Sequence, residues 1–282
     1  MRIVQISDTH LSGRGGVTND NFERIVTFVN DILCPDLVVN TGDLVAASPD
    51  ELGDREAARK LHSLFTSPVR ILPGNHDVGE PGSPAWMGLQ VTSERIAAHR
   101  ATFGEDRFLE LGSDGAAIGI NSELLGSDLP EESEQWDWLS EALAATGGRP
   151  TVLFLHKPLW CPRRRPQPQQ VNVAAAARRK LTNLPGFDAV RAVGSGHLHR
   201  YRRRVRSDLL EVWAPSTGFV GQTETEPSHF EQLGVVEWII ADGHVDASFR
   251  APVDLCEYEG SAIPQLVSTV ESLRPPADTD KD

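Results

Sequence analysis

Five short apolar runs in the chain end in Asp, Asn or His, mostly beside Gly. They are Asp8-Thr9-His10, Thr41-Gly42-Asp43, Pro73-Gly74-Asn75-His76-Asp77, His156-Lys157-Pro158 and Gly194-Ser195-Gly196-His197-Leu198-His199. Oxygen and imidazole donors without thiolate suit Mn, Fe, Zn or Co rather than a soft-metal centre, and they exceed what one tetrahedral ion needs. Asp8 with His10, and His197 with His199, are spaced two apart. In extended backbone both members of such a pair face one side and can grip one ion. The donors Asp8, His10, Asp43, Asn75, His156, His197 and His199 together fit two ions. With Asp43 as the bridge, the ions would stand about 3.5–4 Å apart, the spacing used for in-line displacement at phosphorus. Two divalent ions bring about +4, and two carboxylates with a bridging hydroxide remove about three, leaving roughly +1 to meet a phosphate oxygen. A neutral Asn75 in place of a third carboxylate preserves that surplus.

Such groups converge only if the elements before them are parallel strands, whose carboxyl ends aim loops at a common point. The hydrophobic pattern predicts strands over Arg2 to Ser7, Asp36 to Asn40, Val69 to Leu72, Ala116 to Ile120, Thr151 to Leu155 and Ala189 to Val193. Helical periodicity predicts helices over Asp20 to Leu33, Glu51 to Phe65, Thr92 to Phe103, Glu132 to Ala145 and Val173 to Thr182. After His199 the pattern becomes hairpins: Arg202 to Val205, Leu209 to Trp213, Val235 to Ile240 and Val245 to Arg250, the last two joined by a tight turn at Ala241-Asp242-Gly243-His244. The reading divides the chain into a domain over 1–258 and a polar, Pro-rich, flexible tail over 259–282. Residues Arg163 to Gln170 form a biased stretch expected to be an exposed loop.

With 282 residues, 39% hydrophobic and 24% charged, the chain has the make-up of a globular α/β enzyme rather than a disordered or disulfide-stapled one. No apolar run approaches the ~20 residues of a membrane span, and the N-terminus enters a strand pattern without a signal-like stretch, so a cytoplasmic location is expected. The net charge of −13 disfavours a stable nucleic-acid complex, which needs clustered cations, yet admits a small phosphate ligand. Cys34, Cys161 and Cys256 lie too far apart for a zinc knuckle or a redox pair and read as reduced. His62, His99, His229 and His244 lack comparable company and read as structural or solvent-facing, as do the basic runs Arg163 to Arg165 and Arg200 to Arg206.

Asp-Xaa-His, Gly-Asp, Gly-Asn-His-Asp, a lone His after a strand and Gly-His-Xaa-His, in that order from Asp8 to His199, resemble the signature of the calcineurin-like metallophosphoesterase superfamily. The resemblance implies an α/β fold, a four-layer αββα sandwich of two mixed sheets, with the hairpins after His199 in the second sheet. It implies that Asp8, His10, Asp43 and His199 hold one ion, and that Asp43, Asn75, His156 and His197 hold the other, with Mn or Fe first and Zn or Co as alternatives. His76 matches a non-ligand histidine near the leaving group, Asp77 is expected to orient its ring, and Asn75, His76 and His199 are expected to contact substrate. The implied reaction is attack by a metal-bridging hydroxide on a small phosphodiester, with a 3′,5′-cyclic nucleotide the first expectation. Size, the Gly-Asn-His-Asp form and the C-terminal hairpins with Ala214-Pro215-Ser216-Thr217 resemble those of the bacterial class III cyclic-nucleotide phosphodiesterases and their broad-specificity relatives. A phosphomonoesterase or nuclease on the same centre is the alternative, and a non-catalytic scaffold a more remote one. Gly42-Asp43 continues as Leu44-Val45-Ala46, without the arginine of Val-Asp-Arg-Gly, which points away from Ser/Thr protein phosphatases. Lys157 stands where these phosphodiesterases commonly have a second His, and could meet a phosphate or a surface carboxylate. A homodimer is compatible with the sequence.

Overall fold

The computed structural model describes residues 1–82, 85–161, 171–220 and 232–260. Its first sheet contains β1 (Arg2–Ile6), β2 (Leu37–Asn40), β3 (Val69–Ile71), β10 (Val235–Ala241) and β11 (His244–Arg250), in the order β11-β10-β1-β2-β3. The second contains β4 (Phe108–Leu111), β5 (Ala116–Gly119), β6 (Thr151–Phe154), β7 (Val190–Ser195), β8 (Arg202–Arg206) and β9 (Leu209–Trp213), in the order β4-β5-β6-β7-β9-β8. Both sheets are mixed: β1-β2-β3 and β5-β6-β7-β9 run parallel, while β10, β11, β4 and β8 pair antiparallel with their neighbours.

The sandwich follows from a period of two within each strand. Ile3, Val39, Val236 and Trp238 of the first sheet meet Val152, Phe154, Ala192 and Val212 of the second in one shared core. Their neighbours Val4, Ile6 and Val38 point outward and pack under α1 (Val17–Phe28) and α2 (Leu52–His62). Leu153, Leu155 and Val193 likewise face α5 (Pro130–Ala145) and α6 (Ala175–Thr182). Strands buried on both faces read as continuous aliphatic runs, which explains the uninterrupted apolar stretches before each polar cluster. The four layers are helix, sheet, sheet, helix.

Among the short elements that escaped the sequence pattern are β4 and a single-turn helix α3 (Asn75–Val78). α4 (Ser93–Phe103) begins where Thr92 caps it by accepting the Arg95 amide. The expectation that both hairpins after His199 join the second sheet is corrected. β8-β9 does so, but β10-β11 returns to the first sheet, where β10 pairs antiparallel with β1. Trp238 explains the choice, because its ring sits in the inter-sheet core and its indole N–H donates to Gln5 Oε1 at 3.1 Å. The turn at Asp242-Gly243 has positive φ at both positions (52° and 77°), the type I′ geometry of a two-residue hairpin. The expected tail lies outside the described residues beyond Gly260, and so do Arg163 to Arg165 and His229. No helix among the described residues is long and apolar enough to cross a membrane.

Candidate metal centre

The loops that leave β1, β2, β3, β6 and β7 are laced together by backbone hydrogen bonds that extend the sheets. The Asp8 amide donates to Gly42 O (2.9 Å), the His10 amide to Asp43 O (3.0 Å) and the Gly196 amide to His156 O (2.9 Å). Asp8, His10, Asp43, His197 and His199 all have positive φ (53°, 46°, 54°, 70° and 52°). Non-glycine residues there are strained by about 1–3 kcal/mol each, and such strain concentrates at functional sites. The sequence expectation of extended pairs is therefore corrected. Asp8 and His10 do reach one cluster, but through left-handed turns, and His197 and His199 separate into different clusters.

Asp8, His10, Asp43 and His199 offer ligand atoms within 4.8 Å of one another, and Asp43, His156 and His197 do the same. Asp43 belongs to both. Its Oδ2 lies 3.3 Å from His156 Nε2 and 4.0 Å from His10 Nε2, while its Oδ1 accepts the His76 amide at 2.9 Å. Asn75 Oδ1 and His197 Nδ1 each stand 3.2 Å from His156 Nε2, and His199 Nε2 is 3.4 Å from Asp8 Oδ1. Two glycines let the backbone come this close. A Cβ on Gly74 would stand 2.2 Å from Asp43 Oδ1, and one on Gly196 would stand 1.9 Å from Ser7 Oγ and 2.6 Å from Asp8 Oδ2.

Backbone carbonyls orient the rings. His10 Nδ1 meets Ala46 O at 3.1 Å, His156 Nδ1 meets Thr41 O at 2.9 Å and His199 Nδ1 meets Phe219 O at 3.0 Å. A carbonyl accepts only, so each Nδ1 carries the hydrogen and each Nε2 faces inward, its lone pair available to an ion once any proton there has left. His10 Nε2 and His199 Nε2 then face each other at 3.2 Å. Two lone pairs at that distance repel unless a cation or proton lies between them, so the arrangement fits a divalent ion. These carbonyl partners were invisible in the sequence, since any residue type supplies one.

Charge follows geometry. Burial opposes ionisation of Asp43, but His156, His76 and His10 around it hold its carboxyl well below the usual range. Burial drives His10 well below the ordinary histidine value, reinforced by His76 and His199. At His156 burial is outweighed by Asp43, Asp8 and Glu123, which push the ring up to about 10. A metal ion entering there therefore displaces a proton. The His156, His10 and Asp43 side chains are only 0–3% exposed, whereas His199 and His76 reach 11% and 13%. The site thus opens to solvent on the His76–His199 side. His76 Nε2 stands 3.9 Å from Asp43 Oδ2, and its ring meets that of His10 edge-on at 4.7 Å.

The structure corrects the expectation for Asp77. Its carboxylate accepts the amides of Gly74 (2.8 Å), Leu44 (2.9 Å) and Val45 (3.1 Å), so it braces the Gly42-Asp43 loop against the Gly74 turn instead of holding the His76 ring. Burial, with the Asp43 charge nearby, pushes Asp77 up to about 7. Lys157 faces neither a phosphate nor the surface, because its ammonium is buried between Glu80 and Glu123. His62 is a core residue, bonded to Asn40 (2.8 Å) and the Ala58 carbonyl (2.7 Å), while His99 is buried beside Phe103.

Residues 1–201 match the family described as Calcineurin-like phosphoesterase. The chain is similar to the probable glycerophosphodiester phosphodiesterase GpdQ of Arcobacter nitrofigilis, 25% identical over 77% of this chain and 78% of that protein. It is similar to the 3′,5′-cyclic adenosine monophosphate phosphodiesterase CpdA of Pseudomonas aeruginosa, 27% identical over 76% and 75%. The serine/threonine-protein phosphatase CPPED1 of Bos taurus is 29% identical over 68% of this chain, which spans 62% of that protein. That likeness runs against the expectation that the chain is not a Ser/Thr protein phosphatase, which rests on the missing Val-Asp-Arg-Gly and on Gly-Asn-His-Asp in place of Gly-Asn-His-Glu. A dimetal phosphatase from Danio rerio shares the fold, with a TM-score of 0.59 at 12% identity over 90% of this chain and 97% of that one. The ordered motifs, the two-sheet sandwich and the match over most of its length place the chain in the calcineurin-like phosphoesterase family, as a metal-dependent phosphoric ester hydrolase.

Proposed function

We propose that the chain is a dinuclear phosphodiesterase acting on a small phosphodiester, with a 3′,5′-cyclic nucleotide or a glycerophosphodiester as substrate. The observation that carries this reading is Asp43, one carboxylate shared by two donor clusters. In it Asp8, His10, Asp43 and His199 hold one divalent ion, and Asp43, Asn75, His156 and His197 hold the other. Mn and Fe are favoured over Zn and Co. Bound there, the ions supply Lewis acidity toward phosphoryl oxygens and an activated water as nucleophile.

The chain's own residues do the rest. Ala46, Thr41 and Phe219 fix three imidazole tautomers through their carbonyls, so the donors need no rearrangement when loaded. His76 lies at the solvent-facing rim next to Asp43, where a substrate's departing oxygen would enter. Burial first, with His199 and His156 adding to it, lowers the His76 value despite the pull of Asp43. When protonated, His76 is thereby a stronger acid than a free imidazolium and can pass its Nε2 proton to the leaving alkoxide. Asp77 keeps His76 in place indirectly, by tying together the two loops that carry Asp43 and Asn75-His76. Substrate contacts fall to Asn75, His76 and His199. The likeness to GpdQ and CpdA, both described as phosphodiesterases, supports the diester reading.

Phosphomonoester hydrolysis is the second reading, favoured by the likeness to a protein described as a serine/threonine-protein phosphatase. Purified protein with Mn²⁺ is assayed on bis-p-nitrophenyl phosphate, p-nitrophenyl phosphate, a panel of cyclic nucleotides, glycerophosphodiesters and a phosphoserine peptide. Faster turnover of diesters is expected. Preference for monoesters or the phosphopeptide would replace the diester reading with the second one, and no metal-dependent hydrolysis of any substrate would sink both.

A further inference from the structure

Beside the donor cluster lies an ionic group that neither ligand set uses. Lys157 is 1% exposed, and its Nζ lies 2.9 Å from Glu80 Oε2 and 3.0 Å from Glu123 Oε2, themselves 1% and 0% exposed. Buried ion clusters are weak sources of stability, since apolar replacements of similar volume are often neutral or better. Placement gives this one another meaning. Lys157 directly follows His156 at the end of β6 in the second sheet. Glu80 stands two residues beyond α3, whose first two residues are Asn75 and His76, on the loop that leaves β3 of the first sheet.

The backbones at both ends are held. The Glu80 amide donates to Leu89 O at 2.9 Å and its carbonyl accepts the Val91 amide at 3.1 Å. The Lys157 amide donates to Ser122 Oγ at 3.0 Å, and Ser122 Oγ donates to Glu123 Oε1 at 3.1 Å. Glu123 follows β5, the parallel neighbour of β6, so the Lys157–Glu123 arm stays within one sheet. The Lys157–Glu80 arm crosses the sandwich. It joins the loop carrying Asn75 and His76 to the loop carrying His156, where Asn75 Oδ1 and His156 Nε2 are 3.2 Å apart.

We propose that Lys157 and Glu80 form a positioning clamp across the two sheets, which sets the separation of Asn75 and His156 and thereby the binding of the second ion. The proposal rests on the dinuclear reading above. Glu80→Ala and Glu123→Ala test it, because each removes one of the two carboxylates described beside Lys157 and only the first cuts the cross-sheet arm. Mn²⁺ titration of the metal-free full chain is read by metal analysis of the equilibrated protein, alongside kcat and KM. For Glu80→Ala we expect the first ion unchanged and the second bound about 10–100-fold more weakly, the effect typical of losing a residue that supports a ligand. kcat falls at limiting Mn²⁺ and recovers in excess, with KM little altered. Glu123→Ala keeps both affinities, and Glu80→Gln, which retains an acceptor for Lys157, restores most of the second. Should Glu80→Ala not fold, Glu80→Met fills the same space without an acceptor and shows the same loss. Unchanged binding of the second ion in the Glu80 variant that folds, or equal losses in the Glu80 and Glu123 variants, would overturn the clamp. A wild-type chain that takes up no second Mn²⁺ would instead overturn the dinuclear reading itself.

Discussion

Replacing Asp43 by Asn is the most discriminating perturbation of the site. The amide keeps the shape of the carboxylate, so it can still accept the His76 amide, now made to Oδ1 at 2.9 Å. It removes the one charge common to both clusters. A ligand that binds only the native state at a concentration 100-fold above its Kd stabilises by about 3 kcal/mol, so two ions at that level contribute about 5–6 kcal/mol. For a chain of 282 residues this corresponds to a rise in Tm on the order of 10 °C or more. Asp43→Asn should lose nearly all of that metal-dependent increment, bind less than one ion per chain, and show no measurable hydrolysis of bis-p-nitrophenyl phosphate. Without metal its His156 should lose the elevated affinity for protons that Asp43 chiefly sustains. Melting curves with and without Mn²⁺, together with metal content after desalting, provide the test. A variant that keeps two ions, or that gains as much Tm from Mn²⁺ as the wild type, would refute the shared-carboxylate reading.

His76→Ala should retain both ions but slow turnover by about 10²–10⁴, most for substrates with poor leaving groups, measured across a series of substituted phenyl esters. Equal loss for good and poor leaving groups would remove its role as proton donor. Gly74→Ala places a Cβ 2.2 Å from Asp43 Oδ1, so the carboxylate must move. A displacement of about 1 Å can cost 10²-fold in rate, so activity should drop by about that much, and metal affinity with it. Acid stability should report on His62, which burial depresses from the ordinary 6.5 to about 4. The unfolded chain therefore binds its proton first, so the stabilisation from keeping this ring neutral is complete above pH 6.5 and is lost as pH falls toward 4. The loss should reach about 2 kcal/mol by pH 5. Urea midpoints at pH 7 and pH 5 should converge in His62→Gln by that amount, and an unchanged difference would exclude His62 as the cause.

Much of the architecture is legible in one dimension because strands buried on both faces must be aliphatic throughout. Leu37-Val38-Val39 and Val152-Leu153-Phe154-Leu155 advertise themselves as such. Donor types are equally visible, because Asp, Asn and His recur just beyond the ends of β1, β2, β3, β6 and β7. β4 was not, because it pairs antiparallel at the sheet edge and its exposed face dilutes the pattern. Nor could local spacing assign the hairpins to sheets, a choice made by Trp238 and Gln5 across 233 positions of sequence.

The sequence by itself determined which chemical groups this protein carries, and their order along strands that run alike, because residue type and hydrophobic period are local properties. Residue spacing left open how they divide, a split that the family resemblance implied and for which the tertiary structure supplies the physical means. Left-handed turns at His197 and His199 send neighbours to opposite clusters, Asp77 binds loop amides rather than a ring, and Lys157 spans two sheets. Those outcomes depend on backbone torsions and on carbonyls and carboxylates supplied from distant segments, for which residue spacing holds no signal.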